Sequence, residues 1–179
     1  MHPGFAKFTP GWREIYSETM AKDSNSAIPA SSSPHEEGVR ACLCVDAACS
    51  GNPGMMEYRG VHLPSGKEVF RFGPIQGTNN IGEFLAIVHA LALMKQKGIR
   101  MPIYSDSVSG LAWVRNRKAK TTLAPTEQTA KALELVRRAE NWLRQNTVDV
   151  PILKWNTEEW GEIPADFGRK KTGAKSDKS

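Results

Sequence analysis

The chain has 179 residues, 40% of them hydrophobic, and a formal charge of +5; that is long enough for one well-buried core and too short for two ordinary ones. A pI near 9.2 points to a polyanionic partner, because basic surface attracts phosphate backbones whatever their sequence, although many small basic proteins bind nothing of the kind. No apolar run approaches the roughly 20 residues that span a bilayer, no apolar signal core opens the chain, and Cys42, Cys44 and Cys49 form no Cys-x-x-Cys pair. A membrane protein, a secreted one and a zinc knuckle are therefore disfavoured, and reduced thiols point to the cytoplasm.

In chain order, residues 1–38 read as a disordered segment or linker, since the run Asp23-Ser24-Asn25-Ser26-Ala27-Ile28-Pro29-Ala30-Ser31-Ser32-Ser33-Pro34 cannot bury enough apolar surface to offset its ordering entropy. Upstream, Phe5, Phe8, Trp12, Ile15 and Tyr16 form an aromatic cluster that either packs locally or docks elsewhere. A folded unit is expected over residues 39–171. Its first strand runs from Val39 to about Ala47, presents Asp46 and breaks into the turn Ser50-Gly51-Asn52-Pro53-Gly54. A glycine-rich turn beside an acid either ends a hairpin, with Asp46 merely solvated, or lets a bulky ligand approach the backbone while a cation sits at the acid. Strands over Met55–Leu63 and Glu68–Ile75, joined by Pro64-Ser65-Gly66-Lys67, complete an antiparallel meander.

The hydrophobic period then switches from two to 3.6. Ile81, Phe84, Leu85, Val88, Leu91 and Ala92 fall on one helical stripe that opens with the capping residues Thr78-Asn79-Asn80 and stops near Gly98. Glu83 is expected in the first turn, where the helix dipole alone would favour an acid. Met101–Ser105 reads as a strand ending at Asp106; a strand, a crossover helix and a strand make a right-handed unit with two adjacent parallel strands, whose carboxyl ends gather ligands. Ser107 caps a helix from Val108 to about Lys118, ending in the basic run Trp113-Val114-Arg115-Asn116-Arg117-Lys118-Ala119-Lys120, either a solvated helix end or part of a nucleic-acid groove. Pro125-Thr126 opens a helix to about Gln145 with the core stripe Ala132, Leu135, Val136, Ala139, Trp142 and Leu143, and with Glu134, Arg137, Arg138, Glu140 and Arg144 on a solvent face. A last strand covers Val150–Trp155. Asp166 enters a short helix or turn, and residues 172–179 close the chain as a basic disordered tail.

Asp46 thus falls on a central strand, Glu83 in the following helix, Asp106 at the end of the adjacent parallel strand and Asp166 near the chain end. Four acids without matched bases repel one another, so either they lie apart or cations sit between them. Hard divalent ions, Mg2+ or Mn2+, prefer such oxygen ligands, and a pair about 4 Å apart can activate water for in-line phosphodiester displacement without any histidine. Accordingly His2, His35, His62 and His89 read as surface or packing residues.

Taken together, Asp46 with Ser50-Gly51-Asn52-Pro53-Gly54, Thr78-Asn79-Asn80 with Glu83, Tyr104-Ser105-Asp106-Ser107, and Asp166 resemble the ordered acidic signature of ribonuclease H of type 1, over residues 39–171. The ending Lys154-Trp155-Asn156-Thr157 with Trp160-Gly161-Glu162-Ile163-Pro164-Ala165-Asp166-Phe167-Gly168-Arg169-Lys170 resembles one bacterial subgroup; residues 1–38 lack the pattern of the N-terminal hybrid-binding domain that its better-known members carry. The resemblance implies an α/β, ribonuclease H-like fold with a mixed five-stranded sheet, three strands antiparallel and two parallel, flanked by helices. It implies that Asp46, Glu83, Asp106 and Asp166 ligate two Mg2+ ions, with Mn2+ able to substitute, and that the RNA strand of an RNA–DNA hybrid is cut to 5′-phosphate and 3′-hydroxyl ends. Many members carry a histidine on a loop before the last acid; here the loop is short and holds none. Glu162 resembles the subgroup's acid near one metal, active in product release, and its spacing of four from Asp166 would put both on one face of a helix.

The 2′-hydroxyl distinguishes RNA from DNA across a wide, shallow minor groove. By resemblance Cys49, Gly51, Asn52, Asn79 and Asn80 are the minor-groove contacts, with cysteine where serine is common. Thr78, Asn80, Thr121, Thr122 and Thr157 resemble the pocket for a DNA phosphate, unless the threonines only cap and turn the chain. Trp113 resembles the aromatic wall of the DNA channel, and Val108 replaces a common glutamine. No obligate protein partner is implied. Another nuclease of the superfamily, such as a junction resolvase or a transposase-like core, and a non-catalytic nucleic-acid-binding domain remain the rival readings.

Overall fold

The computed structural model describes residues 41–168. The expected segments 1–38 and 172–179, the aromatic cluster, and the ends 39–40 and 169–171 of the expected folded unit lie outside the described residues. The elements are β1 (Cys42–Gly51), β2 (Gly54–Leu63), β3 (Lys67–Gly77), α1 (Asn79–Lys97), β4 (Ile103–Ser105), α2 (Val108–Asn116), α3 (Ala130–Gln145), β5 (Ile152–Lys154) and α4 (Thr157–Trp160). They build one five-stranded sheet of order β3-β2-β1-β4-β5. The meander β1–β2–β3 is antiparallel, and β4 and β5 add in parallel to β1's other edge. This is the expected ribonuclease H-like arrangement.

β1 sits at the centre and is buried on both faces, so it reads as a nearly continuous apolar run rather than a clean alternation. Alternation still divides it: Leu43, Val45 and Ala47 join the main core with α1, while Cys42 and Cys44 join a second core with Val61, Leu63, Tyr104, Trp155, Ile163 and Ala165. The strand is longer than its sequence suggests. Its ladder with β2 continues to a Gly51↔Gly54 pair, so Asn52-Pro53 is a two-residue connection and Asp46 lies within the strand, not at its end.

α1 is buried almost all round, as its apolar sequence demands of a helix wedged between a sheet and other helices. Thr78 caps it, Oγ1 accepting the Ile81 amide at 3.3 Å, and Gly98 ends it in a left-handed turn. Counted from Asn79, Glu83 lies one residue beyond the first turn, where the dipole gives an acid little support. Burial and neighbours govern it instead. His89, on the same helix, is a core residue: its ring stacks on Phe70 with centroids 4.2 Å apart, Nδ1 meets the Tyr58 hydroxyl at 3.2 Å, and burial lowers its pKa to about 4.

α3 starts at Ala130, five residues after the expected Pro125. The Thr129 hydroxyl donates to the Ala124 carbonyl at 2.6 Å and accepts the Thr126 amide at 2.8 Å, so these side chains hold a turn where a helix was expected. The core stripe of α3 is the expected one, with Trp142 half-buried. Glu140 belongs to it as well, not to the solvent face: it is 4% exposed, Oε1 accepting the Ala119 amide and Oε2 pairing with Lys118 Nζ, both at 3.0 Å. Beyond β5, Trp155 is fully buried, its indole N–H donating to Gly161 O at 2.9 Å and its ring edge-on to Trp160 and Tyr104. This seats residues 161–168 on the sheet face opposite α1. Among the described residues no helix is long and apolar enough to cross a membrane.

Gly82 lets α1 approach β1 and β2, because a Cβ there would lie 2.8 Å from Ala47 Cβ and 2.9 Å from Met56 Cγ. Gly82→Ala gains about 1 kcal/mol of helix propensity and loses about 1–3 kcal/mol to overpacking. A lower urea midpoint is therefore expected, whereas a higher one would show that the helix has room.

Candidate active site

The β1–β4 ladder ends at Val45↔Ser105. The next residues are Asp46 on β1 and Asp106 at the exit of β4, and Glu83 arrives at the same opening from α1. Each of these three carboxyl groups offers an oxygen within 4.8 Å of the others. Asp46 and Glu83 are buried, 6% and 4% exposed, and Asp106 is half-buried. Local chemistry fixes each arrival. Ser107 caps α2 with its Oγ accepting the Gly110 amide at 2.9 Å, and its own amide donates to Ser105 Oγ at 3.2 Å, which pins the turn that carries Asp106. Gly110 leaves room for Glu83, since a Cβ there would sit 3.1 Å from Glu83 Cβ.

The electrostatics are those of acids forced together. Burial, then repulsion from Asp106, raises the Asp46 pKa to about 7, against a lowering hydrogen bond with Glu83; Asp166 adds to the rise. Glu83 is pushed well above the usual carboxylate range by burial first and then by Asp46 and Asp106. Glu83 Oε2 is buried with no hydrogen-bond partner. An oxygen-only donor set with an unsatisfied buried carboxylate oxygen fits a hard divalent cation, which would replace the missing partner and the mutual repulsion at once.

The fourth expected acid is placed differently. Asp166 lies outside the group within 4.8 Å, near enough to affect Asp46, and its Oδ2 accepts the Gly168 amide at 3.0 Å. Glu162 is exposed. Residues 161–168 are not helical, so the spacing of four does not put Glu162 and Asp166 on one helix face; Pro164 and the turn at 164–165 break the chain between them.

The β1–β2 turn and the start of α1 form one surface. Asn52 Oδ1 accepts the Asn79 amide at 3.3 Å, the Cys49 thiol faces Gly77 O at 3.8 Å, and Gly51, with φ +89°, and Asn80 are exposed beside them. Thr78 accepts the cap bond of α1 through Oγ1, which leaves its O–H able to donate. Thr121 Oγ1 accepts the Leu123 amide at 3.2 Å, Thr122 is exposed, and Thr157 opens α4. Trp113 is not a channel wall: it is 7% exposed and edge-on to Phe84 at 5.9 Å, because Gly110, Trp113 and Val114 make the buried stripe of α2.

Sequence reasoning missed Glu140 and Arg59. Glu140 had a signal, lying four residues after Val136 and three before Leu143 on the apolar stripe itself. It ties α3 to the basic stretch that follows α2 and leads to Thr121 and Thr122. Arg59 had no local signal; its partners are the carbonyls of Ala165 and Asp166, across the sheet from its own hairpin.

The family model for RNase H matches residues 40–155. Ribonuclease H of Ruthia magnifica subsp. Calyptogena magnifica is 29% identical over 130 residues, covering 69% of this chain and 88% of the relative. Ribonuclease H of Bartonella quintana is 31% identical over 111 residues, covering 59% of this chain and 71% of the relative. Among solved structures, RNase H1 of the archaeon Halobacterium salinarum is 22% identical with a TM-score of 0.43, covering 64% of this chain and 84% of that one.

A carboxyl whose pKa is raised on folding supports the fold below its ordinary value of 3.8 and loses that contribution as pH rises through about 7. Without divalent cation, Asp46→Asn is therefore expected to raise Tm at pH 8 and leave it nearly unchanged at pH 4. Equal Tm offsets at the two pH values would show that Asp46 is not held against its charge. Glu140→Ala, which strands the Ala119 amide and frees Lys118, is expected to cost about 1–3 kcal/mol in urea unfolding; a loss under 0.5 kcal/mol, typical of a solvated surface position, would contradict the buried contacts.

Proposed function

The chain belongs to the RNase H family, as a type 1 member, and on that premise we propose that it hydrolyses the RNA strand of RNA–DNA hybrids, as a metal-dependent endonuclease leaving 5′-phosphate and 3′-hydroxyl ends. One observation carries the reading: Asp46, Glu83 and Asp106 converge within 4.8 Å, with Asp46 and Glu83 buried. A domain that only bound nucleic acid would have to keep this charge beside phosphate at a desolvation cost with no return, so the cluster favours catalysis over binding alone.

In this reading Asp46, Glu83 and Asp106 hold the cations, and Asp166 completes the set from the last segment. Two Mg2+ ions, or Mn2+ in their place, would supply an activated water and neutralise charge on the leaving oxygen. The residues themselves position the reaction. The Asn52 and Asn79 surface, with Gly51, Asn80 and Cys49, reads the 2′-hydroxyl, because amides both donate and accept and glycine allows the backbone close to the groove. Thr78, Asn80, Thr121, Thr122 and Thr157 hold a phosphate of the DNA strand. Glu162, exposed at the start of the segment that carries Asp166, assists product release. The 2′-hydroxyl-reading surface favours this activity over a resolvase or transposase-like one.

Labelled RNA–DNA hybrid, double-stranded RNA and duplex DNA, each with and without Mg2+, provide the test. Cleavage of the hybrid's RNA strand alone, and only with Mg2+, is expected; cleavage of duplex DNA would contradict the assignment. Asp106→Asn should lower the cleavage rate by about a thousandfold or more while leaving hybrid affinity within about threefold. Near-normal turnover by this variant would refute its role. Glu162→Gln should slow multiple-turnover rates more than the single-turnover rate, and equal slowing would remove its place in release.

A further inference from the structure

We propose that Arg59 is a positioning residue for Asp166, anchoring the backbone of the final segment so that this acid is presented beside Asp46. The inference rests on the reading of Asp166 as the fourth metal-holding acid. Arg59 stands directly across the β1–β2 ladder from Asp46, so both side chains leave the same face of the sheet, the face that residues 161–168 cover.

From that position one guanidinium makes three kinds of contact. Its Nε donates to Ala165 O at 2.7 Å and its Nη2 to Asp166 O at 2.5 Å, two successive carbonyls held by one planar group. Its Nη1 pairs with Glu68 Oε2 of β3 at 3.3 Å, which fixes the arginine from the other side. Its Cζ lies 4.9 Å from the centroid of the Phe167 ring, and Arg71 approaches the same ring at 5.1 Å. Arg71 in turn is held by Glu57 at 3.0 Å and by Glu68 at 3.7 Å. Residues 165–167 are therefore gripped at two carbonyls and one ring, while Asp166's carboxylate is left to the Gly168 amide and to whatever sits beside Asp46.

The segment needs such a grip. It follows a helix of only four residues, it is not itself helical, and among the described residues the turn closing on Asp166 has a single main-chain bond, from its amide to Ile163 O at 2.8 Å. Ile163 and Ala165 bury apolar surface, which fixes where the segment lies but not the rotation of the chain at residue 166. Lysine cannot replace the arginine here, because an ammonium group is a point charge and lacks the fork that reaches two carbonyls and a carboxylate together.

The test combines two readouts on Arg59→Met and Arg59→Lys. Hydrogen exchange measured without substrate should quicken about tenfold or more at residues 163–168 in both variants, with α1 amides unchanged. Unchanged exchange across 163–168 would overturn the anchoring. Single-turnover hybrid cleavage should need about tenfold more Mg2+ for half-maximal rate, as for loss of a residue that orients a metal ligand, and should recover to within about threefold at saturation. In an Asp166→Asn background the Arg59 substitution should add less than about twofold, since its effect passes through the missing acid. Multiplicative losses would show a merely structural arginine. If Arg59→Met does not fold, Arg59→Lys keeps the charge and supplies both readouts. Faster exchange in a protein whose Asp166→Asn variant cleaves normally would leave the anchor in place and remove the assigned role of Asp166, so the two failures are distinguishable.

Discussion

The site is organised by one repulsion: three carboxyl groups each offer an oxygen within 4.8 Å of the others, and two of the three are buried. Such a cluster is stable only if protons or cations occupy it. Much of the neighbouring chain serves to keep it from relaxing. Gly82 lets the helix carrying Glu83 close on β1, Gly110 keeps α2 from displacing Glu83, and the Ser105–Ser107 contacts stop the turn at Asp106 from swinging outward. Closing one helix tightly on a strand and a second tightly on that helix is the structural means by which an unfavourable charge arrangement is held in place.

The sheet takes part from both sides. One face carries the large core with α1 and α3, and the other carries the smaller core around Trp155, under which the C-terminal segment runs. Asp46 belongs to the second face by alternation, whereas Glu83 comes from a helix on the first. They meet because β4 is three residues long and leaves the other edge of β1, away from β2, open past Val45. A longer β4 would close that gap and separate the acids.

Much of this was legible in the residues. The turn Pro64-Ser65-Gly66-Lys67, the stripe from Ile81 to Leu91 and the acid after the apolar Ile103–Ser105 run announce the meander, the helix and the parallel strand, because each is set by local chemistry. What stayed hidden depends on contacts distant in sequence. Arg59 is bonded to a carbonyl 106 positions away, and nothing in its own strand marks it. Trp113 looked like a surface aromatic because a run of cations follows it, yet helical spacing sends the indole inward. Pro125 promised a helix start, but the hydroxyls of Thr126 and Thr129 captured the backbone first. The spacing of Glu162 and Asp166 carries meaning only in a helix, and the chain there is a turn.

The strap between Asn52 and the Asn79 amide joins a hairpin tip to the start of α1 across 27 positions of sequence. Loops that must order themselves around a ligand lose conformational freedom at that moment, and the loss is subtracted from affinity. Here part of that loss is already incurred when the protein folds, so in the proposed activity a duplex laid across the two elements would meet a preorganised rim and keep more of its contact energy as binding.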